Sequence, residues 1–214
     1  MALTFIFDGP EASNKTILLA HGAGAPMDSP SLTAMSAALA ASGFRVARFE
    51  FGYMAARRSD ARRKPPPRAE KLIPEYLSAV DELDAEGLLI VGGKSMGGRV
   101  ASMVADELSI AGKAHGLLCL GYPFHPPGRP EQLRTHHLVE LKTPTLIIQG
   151  TRDVFGTREE VSNFTLSPAI EIVWLEDGDH DLKPRKRVSG FAMGDHLKTM
   201  ADAVSVWTGR LIDV

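Results

Sequence analysis

The chain has 214 residues, 44% of them hydrophobic, enough to bury a full core as one domain over residues 1–214. A formal net charge of −2 sets up no field for nucleic acid, and no apolar run approaches the ~18 residues of a membrane span. Met1–Pro10 has no basic flank, so no signal segment is expected, and the lone Cys119 excludes an internal disulfide; together these point to a cytoplasmic protein.

Short apolar runs at Leu3–Phe7 and Thr16–Ala20 predict the first two strands. His21-Gly22-Ala23-Gly24-Ala25-Pro26 follows the second. Its glycines start like a dinucleotide fingerprint, but Met27 stands at the third glycine position, and Asp28, Ser29 and Pro30 describe a loop before any helix. Such a loop suits oxyanion binding, with the amide of Ala23 or Gly24 as donor; a plain strand-to-helix connection is the competing reading. Ser31–Ser42 predicts a helix and Arg45–Glu50 a third strand. Arg57–Arg68 then carries six basic residues against one acid, and its three prolines predict a loop. That run reads either as a solvated loop or as a flap that attracts an anionic substrate or partner.

Ala69–Glu86 predicts a helix, and Leu88–Gly92 a fourth strand. The strand runs into Gly93-Lys94-Ser95-Met96-Gly97, and a helix is predicted over Met96–Ala111. A serine between strand and helix, flanked two positions away by glycines, is the nucleophile-elbow pattern. The tight turn strains the serine backbone and lifts its hydroxyl clear of the sheet, and the glycines permit close approach of strand and helix. The amide of Met96, at the new helix's start, is the first candidate oxyanion donor. A phosphate-binding P-loop would need glycine at position 88, which is Leu88; Gly87 misses by one.

A serine needs a general base, and the base needs a group to fix its tautomer. Where this elbow occurs the chain order is serine, acid, histidine, so both are sought after Ser95. Gly116–Leu120 predicts a buried strand in which Cys119 is a small core hydrophobe. The strand Thr145–Gln149 delivers Asp153 just past its carboxyl end; Glu159 and Glu160, in the predicted helix Arg158–Phe164, are the fallback acids. The strand Glu171–Leu175 is followed by Glu176-Asp177-Gly178-Asp179-His180-Asp181, which places His180 at the same edge. His115, His125, His136, His137 and His196 lack that pairing of strand and turn, and no second ligand set makes a metal site of the acidic cluster. Lys183, Arg185, Lys186 and Arg187 form a second basic cluster beside His180. Leu197–Leu211 predicts the last helix. Alternating strands and helices of this kind imply an α/β fold, a three-layer α/β/α sandwich with a mostly parallel sheet, and a ligand site beyond the strands' carboxyl ends.

With these motifs in order, His21-Gly22-Ala23-Gly24, Gly92-Gly93-Lys94-Ser95-Met96-Gly97-Gly98-Arg99, Gln149-Gly150-Thr151-Arg152-Asp153 and Gly178-Asp179-His180, the chain resembles the α/β-hydrolase superfamily, and within it the small dienelactone-hydrolase-like proteins. The resemblance spans essentially the whole chain. It implies a Ser95–Asp153–His180 triad and no cofactor, and the short chain leaves no room for a large inserted cap domain. Dienelactone hydrolases usually carry cysteine where this chain has Ser95, which separates it from that specific activity. The expected function is an ester or thioester hydrolase acting on a small-molecule acyl substrate, with a charge preference for anionic acyl groups suggested by the basic runs. The alternatives are a non-catalytic interaction module that has kept the architecture, or an acyltransferase using the same triad.

Overall fold

The computed structural model describes residues 3–59 and 65–212. Its strands are β1 (Phe5–Asp8), β2 (Lys15–Ala20), β3 (Arg45–Phe49), β4 (Leu88–Lys94), β5 (Gly116–Leu120), β6 (Thr145–Gly150) and β7 (Ile170–Leu175). Its helices are α1 (Pro30–Ala41), α2 (Gly52–Ser59), α3 (Ile73–Leu83), α4 (Met96–Ile110), α5 (Arg158–Val161), α6 (Lys186–Ser189) and α7 (Met193–Ile212).

The strands form one sheet in the order β1-β3-β2-β4-β5-β6-β7. β1 runs antiparallel to β3, and every other pairing is parallel. Successive side chains of a strand point to opposite faces, so an all-apolar strand needs a helical layer on each side. In β2, Ile17 and Leu19 pack with Leu32, Met35 and Leu39 of α1 and with Met200, Val204 and Trp207 of α7. Leu18 and Ala20 face the other way, into a core with Tyr76 and Val80 of α3 and Val100 and Val104 of α4. The result is the expected three-layer sandwich. Each fully buried side chain of this size contributes about 1.5–3 kcal/mol. Cys119 is buried in this core, and burial pushes its thiol pKa up.

Several predicted bounds change. The single helix expected over Ala69–Glu86 is a 3-10 turn at Ala69–Leu72 followed by α3. Pro74 sits at the start of α3, where its missing N–H is tolerated but prevents an α-helical ladder from running through. Asp84, at φ 42°, ends α3 before Glu86. Arg158–Phe164 shrinks to one turn closed by a Thr157–Glu160 capping box. The helices α2 and α6 were not expected. Arg57, Arg58 and Ser59 belong to α2 and not to a loop, because the prolines lie beyond it and basic residues suit a helix's last turn. Positions 60–64 of that basic run lie outside the described residues. Among the described residues no helix is long and apolar enough to cross a membrane.

Candidate active site

The parallel strands β2, β4, β6 and β7 release the four sequence motifs at one edge of the sheet. β4 continues to Lys94, and the chain turns at Ser95 with φ 52° and ψ −117°. That conformation is rare for a residue with a Cβ and stores about 1–3 kcal/mol. The surroundings hold it: the Ser95 amide donates to the Leu120 carbonyl at 3.0 Å, and the Arg99 amide to the Ser95 carbonyl at 3.0 Å. A Cβ on Gly97 would lie 2.4 Å from the Ala20 carbonyl oxygen, and one on Gly93 2.6 Å from the same atom. Larger residues would therefore drive helix and sheet apart.

His180 reaches Ser95 from the loop after β7. Its Nε2 is 2.9 Å from Ser95 Oγ, and its Nδ1 is 2.8 Å from Asp153 Oδ2. A carboxylate only accepts, so Nδ1 carries the proton, and Nε2 is left to accept from the serine hydroxyl. Asp153 is fully buried. Its Oδ1 accepts from the Phe155 amide at 2.9 Å, and its Oδ2 also accepts from Gln149 Nε2 at 3.0 Å. Gln149, buried on β6, in turn accepts from the Tyr122 amide at 2.7 Å. The Phe155 ring covers the imidazole, with centroids 4.2 Å apart. Gln149 and Phe155 were not singled out in the sequence; an aromatic two residues after the acid and an amide four before it are the only traces they leave there.

Lys94 has a definite task. Its Nζ donates to the His180 carbonyl at 3.0 Å and pairs with Asp181 Oδ1 at 2.9 Å, while its own side chain is buried. Partial burial pushes the Asp181 carboxyl upward, and the Lys94 ammonium and Ser31 hydroxyl more than offset this and hold it below its ordinary value. Lys94 thus ties the turn before the helix to the loop that carries the imidazole. Lys94→Met is expected to lower kcat of any turnover at Ser95 roughly tenfold to a hundredfold with KM little changed, since a misplacement of about 1 Å has that effect. Because Asp181 is exposed, no buried carboxylate is stranded, and the unfolding temperature should barely move. Lys94→Arg should recover part of kcat; equal kcat in wild type and Lys94→Met would remove this role.

The loop Gly22–Ala25 lies opposite. His21, fully buried, accepts from the Phe51 amide at Nε2 (3.1 Å), so its proton sits on Nδ1, which meets the Gly22 carbonyl at 2.6 Å. Tyr53 of α2 donates to the Ala23 carbonyl at 3.1 Å. Both side chains fix the path of the loop that holds Ala23 and Gly24. Met96 is the first residue of α4, so its amide has no acceptor within the helix. Two grooves open at Ser95. One, of about 480 Å³, is lined by Ala25, Pro30, Leu32, Lys94, His180 and Asp181. The other, of about 370 Å³, is lined by Pro67, Arg68, Glu70, Met96, Arg99 and Arg134. Ala23, Ser95 and Phe155 belong to both.

The remaining candidates lie elsewhere. Glu160 caps α5 through Thr157, and His125 Nδ1 meets the Pro126 carbonyl at 2.9 Å. His196 Nδ1 meets the Leu182 carbonyl at 2.7 Å and braces the loop after His180. Most of the described basic residues of the two runs lie away from the grooves. Arg58 is held by Glu50 at 2.7 Å and Asp28 at 2.8 Å. Arg185 is bound to Asp177, whose carboxyl it holds down at about 2. Of the described residues in both runs, only Pro66, Pro67 and Arg68 line a groove. Among the described residues no group of three or more His, Cys, Asp or Glu could hold a metal ion.

Two histidines set an acid limit. Burial lowers the pKa of His21, and burial together with the Arg99 charge lowers that of His137 from 6.5 to about 4. As pH falls from 6.5 toward 4, the unfolded chain takes up these protons before the folded one does. Stability is therefore full above pH 6.5 and declines through that window. The urea midpoint should fall over this range, and His137→Gln should flatten the decline. A slope unchanged in that variant would assign the loss to other groups.

A mostly parallel sheet whose fourth strand ends in a strained serine turn defines an α/β-hydrolase architecture. The chain belongs to the alpha/beta hydrolase domain family, whose model matches residues 13–209. Three solved structures share the fold. An α/β serine hydrolase without a lid from Xanthomonas campestris is 18% identical, with a TM-score of 0.70 over 97% of this chain and 88% of that one. Est1E from Butyrivibrio proteoclasticus is 15% identical, with a TM-score of 0.72 over 99% and 95%. A dienelactone hydrolase from Anabaena variabilis is 21% identical, with a TM-score of 0.72 over 97% and 91%.

Proposed function

We propose that this chain is a serine hydrolase that cleaves an ester or thioester through an acyl-enzyme. The observation that carries the reading is the unbroken hydrogen-bonded line Ser95 Oγ, His180 Nε2, His180 Nδ1, Asp153 Oδ2, with steps of 2.9 and 2.8 Å. It starts from a serine whose backbone is held in a strained turn.

His180 takes the Ser95 proton as Oγ attacks the acyl carbonyl carbon. The buried Asp153 carboxylate stabilises the imidazolium that forms and keeps Nε2 facing the serine. The carbonyl oxygen gains negative charge and is met by the amide of Met96 and that of Ala23 or Gly24. Each such donor contributes roughly 3–4 kcal/mol in comparable sites. The carbon–oxygen or carbon–sulfur bond then breaks, and His180 passes its proton to the leaving alcohol or thiol. In the second half, His180 deprotonates a water that attacks the acyl-serine, and the acid is released as Ser95 regains its proton. These steps need no cofactor.

A panel of short esters and thioesters, run beside a fluorophosphonate probe, tests the reading. Turnover together with covalent labelling at Ser95 is the expected result. No turnover and no labelling would favour a non-catalytic module.

A further inference from the structure

The two grooves at Ser95 differ in charge. The leaving group must receive its proton from His180, so it occupies the groove that His180 lines. The acyl chain is then directed into the other groove, beside Met96. Among the described residues that line the second groove, three are arginines, Arg68, Arg99 and Arg134, and one is an acid, Glu70. Glu70 is already engaged with Arg99 at 2.9 Å. Among the described residues, no carboxylate pairs with Arg68 or Arg134.

Arg134 sits on a fixed piece of backbone. Its amide donates to the Phe124 carbonyl at 2.7 Å, and its carbonyl accepts from the buried Tyr122 hydroxyl at 3.0 Å. Its half-buried guanidinium is disfavoured first by partial burial and then by the neighbouring Arg99 charge. An arriving oxyanion would offset the neighbouring Arg99 charge, and a guanidinium fork matches the two oxygens of a carboxylate or phosphate.

We propose that the second groove is a subsite for an oxyanion at the far end of the acyl chain, read by Arg134 with Arg68 beside it. This rests on the serine-hydrolase reading and gives that reading a substrate class: esters of acids bearing a second, terminal anionic group. The specificity lies in a segment after β5 and in the residue that precedes the Ala69–Leu72 turn, and not in the basic cluster beside His180.

The test compares three ethyl esters of matched length: ethyl pentanoate, ethyl hydrogen glutarate and ethyl 4-phosphonobutanoate. At low salt, kcat/KM for at least one anionic ester should exceed that for the pentanoate by roughly tenfold or more, and added salt should narrow the gap. The faster of the two anionic esters identifies carboxylate or phosphate as the group read. Arg134→Glu should invert the preference and Arg134→Gln should largely remove it, with thermal unfolding of each variant as the fold control. Equal kcat/KM for all three esters at low salt, or a preference that Arg134→Glu leaves unchanged, overturns the subsite alone. Absence of turnover even of ethyl pentanoate, with Ser95 unlabelled by fluorophosphonate, overturns the hydrolase reading and the subsite with it.

Discussion

Replacing Ser95 by alanine is expected to lower kcat for a neutral nitrophenyl ester by on the order of 10⁶, down to the level sustained by binding and oxyanion donors alone. The proposed nucleophile is one atom. His180 Nε2 lies 2.9 Å from it, and among the described residues no other hydroxyl is held against that nitrogen. The fold should tolerate the change. Alanine keeps the Cβ and the backbone of the φ 52° turn, and the imidazole edge left without its partner belongs to a side chain that is 22% exposed, open to water. The unfolding temperature should therefore stay within about 3 °C of wild type. Stopped-assay hydrolysis and thermal unfolding, measured on the same preparation, check both halves. Activity near wild type in a folded Ser95→Ala protein would remove the assignment.

The second large effect is expected at Asp153. Asp153→Asn should reduce kcat by about 10⁴, the size seen when the orienting acid of such a site loses its charge but keeps its shape. The environment makes the substitution severe. Both carboxylate oxygens face donors: the Phe155 amide at Oδ1, and Gln149 Nε2 and the imidazole at Oδ2. An asparagine can offer its oxygen to only one side. With its NH₂ turned toward His180 it would favour the imidazole tautomer that bears hydrogen on Nε2, which cannot accept the serine proton. It would also set one amide donor against another beside a fully buried group, so a stability loss of about 1–3 kcal/mol should accompany the loss of kcat. Denaturant unfolding separates the two effects. Retained activity would shift the orienting role away from Asp153.

Much of this arrangement is legible in the sequence because it is local. Unbroken apolar runs such as Leu88–Val91 specify strands covered on both faces, and small residues at 93 and 97 specify the turn that exposes Ser95. The parallel sheet then brings Asp153 and His180 to the same edge, since each follows a strand that ends there. Helices α2 and α6 are hard to read locally: α6 is four residues long, and the eight residues of α2 run straight into the basic, proline-bearing segment.

By itself, then, the sequence determined the alternating fold, the strained serine and the chain order of its partners, all set by periodicity and turn chemistry within a few residues. The tertiary structure decided what those residues meet. Lys94, which no local pattern explains, becomes the tie to a carbonyl 86 positions away. Gln149 and Phe155 become the setting of Asp153, and His21 the brace of the amide loop. The arginines that line the second groove are 68, 99 and 134, from three separate segments, while most of the described basic residues in the two conspicuous runs lie outside the grooves. Contacts of this kind depend on strand register and loop path, and short-range pattern carries neither.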